Sequence, residues 1–317
     1  MPEFYIHHRT FYSYSEKVVD SANQIKLYPQ HDKHQNVIEH KLVISQAPSV
    51  FILQDYFGNT TGFFSLLMPH TELSIESYLR VQLSEPIYPA RNDANEVWTQ
   101  LRSEQLQLEQ YDFLKAEHAT YELEVLSIIQ KNVNKAEHPL DSLNKLATYI
   151  YDSFTYTKGV TNIETQVDEI WKLKAGVCQD FAHLLLYMMR LLGIPGRYIS
   201  GYICPGNSEW RGEGATHAWV EAWLPDLGWV GLDPTNNCLA GERHVHLARG
   251  RNFTDVTPVK GIYKGTEQHV LEVTVQFSST EFNERQLHSI APSYLSAVQT
   301  DEIARNSYVA YMQMQQQ

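Results

Sequence analysis

Residues 175–183 read Ala175-Gly176-Val177-Cys178-Gln179-Asp180-Phe181-Ala182-His183. Apolar residues then recur at mostly three- and four-residue steps: Phe181, Leu184, Leu185, Met188 and Leu192. This spacing predicts a helix with one buried face that begins near Cys178 and is ended by Gly193 and Pro195. The stretch therefore places a cysteine at the start of a buried helix, directly after a glycine turn.

Two later segments supply a histidine and an aspartate. His217 lies in the alternating, strand-like stretch 216–224, and Asp233 ends the strand-like stretch 229–233. A free thiol with a pKa of about 8.5 is only a few per cent thiolate at neutral pH, so a nucleophilic cysteine needs a base. The pattern predicts that His217 activates Cys178, while Asp233 accepts a hydrogen bond from the second ring nitrogen of His217.

The two strands impose a geometric condition on this site. Side chains alternate between the two faces of a strand, so His217 and Asp233 meet only if they lie on the same face. A simple four-residue loop that pairs Leu224 with Trp229 would place Asp233 opposite Val220, on the wrong face. The sequence therefore predicts an odd-length loop or a β-bulge in this hairpin.

Taken together, the three segments resemble the catalytic core of the transglutaminase-like superfamily, most closely its bacterial branch of proposed cysteine proteases. The resemblance implies an α+β fold, with a papain-like core that follows an N-terminal antiparallel β domain. It also implies a thioester acyl-enzyme, with Cys178 as nucleophile, His217 as general base and acid, and Asp233 as the residue that orients it. The Cys178 amide is the first candidate oxyanion donor, and the resemblance points to Tyr156 as a second.

The expected activity is hydrolysis of a peptide or amide bond in a peptide or protein substrate. A protein-glutamine acyltransferase would use the same nucleophile, and a noncatalytic peptide-binding module that retains the fold is the competing class. Trp219 shares a strand face with His217, so it is expected either to wall a substrate cleft or to pack in the core. Asp180, in the first helical turn, is expected to cap the helix rather than to react.

The chain divides into four predicted regions: an N-terminal β domain at 1–85, a connection that becomes helical at 86–118, a catalytic core at 119–277, and a partly helical tail at 278–317. Residues 77–83 alternate as a half-buried strand should. Pro139 and Asp141 predict the start of a helix. The pattern at 269–277 predicts a further strand in the sheet that packs on the helix of Cys178.

Composition limits the function classes. The chain has 317 residues, of which 43% are apolar, and its 37 acidic and 25 basic residues give a net charge of -12. This charge disfavours nucleic acid or an anionic membrane as partner. The chain start lacks a basic and apolar leader, and no segment stays apolar long enough to span a bilayer, so a cytoplasmic location is expected.

Three cysteines without a Cys-x-x-Cys spacing argue against a disulfide framework and a zinc ribbon, and they fit a reducing compartment. No cofactor or metal is expected. His244 and His246, like the pair His7 and His8, are interpreted as surface histidines rather than as metal ligands.

Overall fold

The computed structural model describes residues 2–161, 165–206, 210–212, 215–265 and 268–282. Its strands are β1 (Glu3–Ile25), β2 (Gln35–Ile44), β3 (Phe51–Gln54), β4 (Thr60–Leu66), β5 (His70–Leu83), β6 (Thr155–Tyr156), β7 (Ala175–Gly176), β8 (Gly196–Ile203), β9 (Thr216–Leu224), β10 (Gly228–Asp233), β11 (Cys238–Leu239), β12 (His244–Gly250), β13 (Val259–Lys264) and β14 (His269–Ser278). Its helices are α1 (Ala94–Leu101), α2 (Glu104–Glu109), α3 (Tyr111–Leu114), α4 (Glu122–Asn132), α5 (Pro139–Ser153), α6 (Val167–Leu173), α7 (Cys178–Leu191) and α8 (Phe253–Val256).

The N-terminal sheet is built around the long strand β1. The first half of β1 pairs with β5 and β14, and its second half pairs with β4 and β13, all antiparallel. In β5, Leu79, Val81 and Leu83 are buried while the residues between them are partly exposed, which confirms the predicted half-buried strand. The sheet is completed by β2 beside β5 and by β3 beside β4.

One strand was predicted in the wrong sheet. Residues 269–277 do form a strand, β14, but it pairs with β1 from Tyr5↔Ser278 to Tyr14↔His269 rather than joining the sheet on the helix of Cys178. Alternation of apolar residues specifies which face of a strand is buried, but it does not specify the neighbouring strand. Because β13 also pairs with β1, the chain has already returned to the N-terminal sheet before β14 begins.

The second sheet has the strand order β11-β10-β9-β8-β12, and α7 packs against β8 and β9. The predicted buried helix is confirmed: α7 begins at Cys178, and Gly193 follows it with a φ of 73°. The predicted helix start at Pro139 is also confirmed, with His138 as the N-cap of α5. The expected α+β class, with a β domain followed by a transglutaminase-like core, is therefore the observed one.

The hairpin between β9 and β10 has the predicted odd-length loop. Leu224 pairs with Gly228, so Pro225, Asp226 and Leu227 form a three-residue loop, and Gly228 has the positive φ of 75° that such loops require. The ladder continues to Leu232↔Val220. In this register Asp233 lies opposite Trp219, on the same strand face as His217.

Buried polar contacts join the two sheets. His8, on β1, is fully buried, and its Nδ1 lies 2.8 Å from the Tyr202 hydroxyl on β8. The Gln35 side chain on β2 bonds to both the backbone N–H and the carbonyl of His246. The interpretation of His7 and His8 as surface residues is therefore wrong, since both histidines face the interior.

Residues 283–317, most of the predicted helical tail, lie outside the described residues. Within the described ranges, none of the helices combines the length and the apolar character needed to cross a bilayer.

Candidate active site

Cys178 is the first residue of α7 and is 7% exposed. As a first-turn residue it has a backbone N–H with no partner inside the helix. The Asp180 carboxylate turns back to accept the Val177 N–H at 2.8 Å and the Thr161 hydroxyl at 2.7 Å. Asp180 therefore caps the helix, as predicted, and burial raises its pKa to about 6.

Gly176 makes this turn possible. A Cβ at Gly176 would lie 2.5 Å from Oδ2 of Asp180 and 2.8 Å from its Cβ. The carboxylate thus occupies the space that a side chain at residue 176 would need, which gives a physical reason for glycine two residues before the cysteine.

His217 and Asp233 form a buried pair. His217 Nε2 lies 2.8 Å from Asp233 Oδ2, and both side chains are sealed from solvent. Burial disfavours the charged imidazole, but the carboxylate and the Cys178 thiol outweigh it and raise the pKa of His217 to about 10. The opposite ring nitrogen, Nδ1, has no hydrogen-bond partner among the described residues. The pair is therefore arranged to hold a positive imidazolium, an effect to which Cys178 adds.

Asp233 is held by several donors besides His217. Its Oδ1 accepts the backbone N–H groups of Thr235 at 2.9 Å and Asn236 at 3.2 Å, and its Oδ2 accepts the Asn236 side-chain amide at 2.8 Å. Burial opposes ionisation of the carboxyl group. The charge and hydrogen bond of His217 nevertheless hold the pKa of Asp233 well below its ordinary value. The carboxylate is thus fixed in orientation as well as in charge.

His244 is a further partner of Asp233, and its interpretation as a surface residue is wrong. The residue is 7% exposed, and its Nε2 lies 3.3 Å from Asp233 Oδ2. Its Nδ1 accepts the Gly241 N–H at 3.2 Å. Burial lowers the pKa of His244, so the ring is neutral and its proton resides on Nε2, which donates to the carboxylate. His246 is buried as well.

Sheet register explains how His244 reaches the site. His217 on β9 lies opposite Gly201 on β8, which in turn lies opposite His246 on β12. A Cβ at Gly201 would lie 1.9 Å from the Val245 carbonyl oxygen on β12 and 2.7 Å from the Trp219 ring, so this glycine leaves room both for the neighbouring strand and for the indole. The ring stacks on His217 at 6.2 Å between centroids and meets His244 edge to face at 5.1 Å.

Trp219 itself is 2% exposed. Of the two roles expected for it, the structure places it in the packed interior between two histidines rather than on an open cleft wall.

Tyr156 and Gly212 lie near Nδ1 of His217. A Cβ at Gly212 would lie 2.8 Å from His217 Nδ1 and 3.7 Å from the Tyr156 hydroxyl. Burial, and after it Cys178, Asp233 and Asp180, raises the pKa of Tyr156, while Arg211 acts in the opposite direction. The hydroxyl therefore stays protonated and is able to donate a hydrogen bond.

Ligand atoms of His217, Asp233 and His244 all lie within 4.8 Å of one another, and among the described residues they are the one such set of three. Imidazole and carboxylate are suitable zinc ligands. Here, however, the two histidines and Asn236 already occupy Oδ2 of Asp233, so hydrogen bonding alone accounts for the arrangement.

Comparisons with known proteins show the family to which this chain belongs. The model of the transglutaminase-like superfamily matches residues 127–234, and that of the bacterial transglutaminase-like N-terminal region matches residues 4–82. An uncharacterized Mycobacterium tuberculosis protein is 34% identical over 288 residues, which cover 84% of this chain and 90% of that protein. The chain belongs to the transglutaminase-like superfamily.

Two further relatives of this transglutaminase-like chain bear on its fold and chemistry. The crystal structure of a proposed cysteine protease from Cytophaga hutchinsonii matches with a TM-score of 0.68 and 19% identity, over 96% of each chain, which supports the shared fold. The protein-glutamine gamma-glutamyltransferase of Pseudomonas aeruginosa is 32% identical over 97 residues, which cover 28% of this chain and 14% of that enzyme.

The sequence alone missed three contributors to the site: His244, Asn236 and Gly212. The spacing of His244 and His246 does indicate two residues on one strand face. Nothing in that spacing, however, indicates a strand next to β8. Asn236 lies three residues after Asp233. The sequence signal for its place in the site was a turn capped by the Asp233 side chain.

Proposed function

We propose that this protein is a thiol-dependent acyl hydrolase that cleaves peptide or amide bonds through a thioester intermediate. The observation that carries the proposal is the buried His217–Asp233 pair: Nδ1 of His217 has no hydrogen-bond partner among the described residues, and Cys178, which begins α7, raises the pKa of His217. In this assignment Cys178 is the nucleophile, His217 the general base and acid, and Asp233 the group that orients His217.

The reaction follows from this arrangement. His217 holds the proton of Cys178, and the thiolate attacks the substrate carbonyl carbon. The imidazolium then gives its proton to the departing nitrogen as the C–N bond breaks, which leaves a thioester on Cys178 and a free amine. His217 next accepts a proton from water, whose oxygen attacks the thioester. The C–S bond then breaks, which releases the acid product and the Cys178 thiolate, while His217 keeps the proton from water, so the starting Cys178 and His217 pair is restored.

The developing negative charge on the carbonyl oxygen needs hydrogen-bond donors. Two candidate donors are the Cys178 backbone N–H, at the start of α7, and the Tyr156 hydroxyl, which burial keeps protonated. Removal of one such donor costs about 3 to 4 kcal/mol in comparable hydrolases.

Acyl transfer to an amine is the second candidate function. It is favoured by the partial match to the Pseudomonas aeruginosa protein-glutamine gamma-glutamyltransferase. The same thioester serves both reactions, and the difference is whether water or an amine attacks it. A noncatalytic peptide-binding module would need neither the His217–Asp233 pair nor the cysteine.

Product analysis separates these candidates. The full chain is incubated with a library of peptide acyl donors, with and without a primary amine, and the products are identified by mass spectrometry. We expect a free acid in both cases, whereas a transferase yields the amide conjugate when amine is present. Cys178→Ala must abolish the product, and Cys204→Ala, which removes a buried free thiol elsewhere, must retain it. Product formation by Cys178→Ala, or no turnover by the wild type, would contradict the proposal.

A further inference from the structure

We propose that Arg211 binds a carboxylate group of the acyl-donor substrate, so that the enzyme selects acidic substrates. This inference rests on the proposed function, because it concerns the groups that surround the Cys178 nucleophile.

The first support is position. Arg211 directly precedes Gly212, where an added Cβ would lie 2.8 Å from His217 Nδ1 and 3.7 Å from the Tyr156 hydroxyl. The charge of Arg211 also reaches Tyr156, where it opposes the effect of Cys178. Arg211 is therefore placed in the chain directly beside the residue that adjoins Nδ1 of His217, the nitrogen from which the proposed general base would act.

The second support is that this backbone is held in place. The Asn236 side-chain oxygen accepts the Arg211 N–H at 2.8 Å, and the Asn236 amide donates to the Arg211 carbonyl at 3.2 Å. The same amide donates to Asp233 at 2.8 Å. One side chain thus fixes the backbone of Arg211 relative to the carboxylate that orients His217.

The third support is an unpaired guanidinium. The Arg211 side chain stacks on Tyr151, with Cζ 4.0 Å from the ring centroid, and its buried Nη1 has no hydrogen-bond partner in the described part of the chain. Among the described residues, no carboxylate forms an ion pair with Arg211. By contrast, Arg197 is paired with Glu221 and Arg80 with Glu3. Arg211 as a residue is partly exposed, whereas its Nη1 is buried and lacks an acceptor among the described residues.

These properties match a carboxylate ligand. A planar guanidinium presents parallel N–H groups that fit both oxygens of a carboxylate, and stacking on an aromatic ring orients its plane. Asp180 and Asp233 both lie near Tyr156, and the His217 imidazolium is already paired with Asp233, so a carboxylate ligand here gains from a further cation. Arg211 supplies that cation in a chain whose net charge is -12.

A pair of alkylating reagents tests this inference without knowledge of the natural substrate. Iodoacetate and iodoacetamide both react by loss of iodide to the Cys178 thiolate, and they differ in carrying a carboxylate or a carboxamide. The rate at Cys178 is measured for each reagent by peptide mass spectrometry at about pH 6, well below the pKa of an ordinary thiol. The ratio of the two rates reports carboxylate recognition.

We expect Arg211→Gln to lower the iodoacetate-to-iodoacetamide ratio about tenfold, since a charged hydrogen bond is lost. Arg211→Lys keeps the charge but not the planar guanidinium, so its rate ratio should lie between those of the wild type and Arg211→Gln. Arg243→Gln is the matched control. The Arg243 guanidinium stacks on Trp210, with Cζ 3.9 Å from the ring centroid, and Trp210 directly precedes Arg211 in the chain. This control should change the ratio by less than about twofold.

The outcomes separate this inference from the proposed function. If both reagents label Cys178 slowly at this pH in the wild type, the nucleophile is not activated and the proposed function fails. If both reagents label it fast but Arg211→Gln leaves the ratio unchanged, or Arg243→Gln lowers it equally, the carboxylate subsite is refuted while the nucleophile stands.

Discussion

His244 and Asp233 are hydrogen-bonded in the interior, with Nε2 of His244 3.3 Å from the same carboxylate oxygen that His217 contacts at 2.8 Å. The backbone N–H of Gly241 occupies the other nitrogen of His244, so the ring donates to the carboxylate. The Asp233 carboxylate thus accepts hydrogen bonds from two imidazole rings. The partner of His217 is therefore also contacted by a residue on β12, outside the three sequence segments that carry the resemblance.

His244 is expected to act as a positioning residue. Replacement by Phe keeps the ring volume but removes the donor, and the loss of a hydrogen bond to a charged group should lower kcat about tenfold with little change in KM. His244→Gln, whose amide is able to donate to Asp233, should recover most of the loss. The Cys178 alkylation profile against pH should move in the Phe variant only. Equal kinetics and profiles for Phe, Gln and wild type would show that the contact has no role.

Asp233 should tolerate Asn better than Ala. The Asn oxygen accepts the His217 Nε2–H and keeps Nδ1 directed at sulfur, whereas Ala leaves the imidazole without an orienting partner. The initial rate of acyl-donor cleavage checks this order. A rate for Asp233→Ala equal to or above that of Asp233→Asn would contradict the assigned role.

Stability should vary with pH through the His217–Asp233 pair. The pKa of His217 is raised from 6.5 to about 10, so the stabilisation from its charged form is complete below about 6.5 and is lost as the pH rises through about 10. The difference in unfolding free energy between wild type and Asp233→Asn should therefore shrink between about pH 6 and about pH 9 in urea titrations. A difference that stays constant or grows over this range would refute the charged pair.

Gly176 should not accept alanine. The added Cβ would lie 2.5 Å from the Asp180 carboxylate, and overpacking of this kind costs roughly 1 to 3 kcal/mol. Because the clash is partly with that carboxylate, Gly176→Ala should cost less in an Asp180→Ala background. A double-mutant cycle by chemical denaturation measures the coupling. Additive costs would mean that Asp180 is not what excludes a side chain at residue 176.

Local patterns were sufficient to predict much of this fold. The helix at Cys178 and the capping role of Asp180 depend on residues within one or two turns of each other, so both follow from the sequence. The odd-length loop before Gly228 followed from a parity argument, in which a proposed site limits the permitted strand register. Such features require no knowledge of distant contacts.

Features that depend on strand neighbours were not predicted. His244 reaches Asp233 because β12 lies beside β8 and because Gly201 leaves room for the Trp219 ring. Residues 269–277 likewise have the pattern of a strand, but the N-terminal strand β1 was their partner. From the sequence alone, a histidine next to charged residues is interpreted as a surface residue. Only the strand topology shows that it lies in the core.

The central claim is that His217 holds Cys178 as a thiolate, and the rate of Cys178 alkylation by iodoacetamide across pH tests it most directly. We expect fast labelling well below neutral pH in the wild type, and in His217→Gln a return to the profile of an ordinary thiol, with a midpoint at about pH 8.5. A wild-type midpoint near that of a free thiol, or a profile that His217→Gln leaves unchanged, would contradict the account.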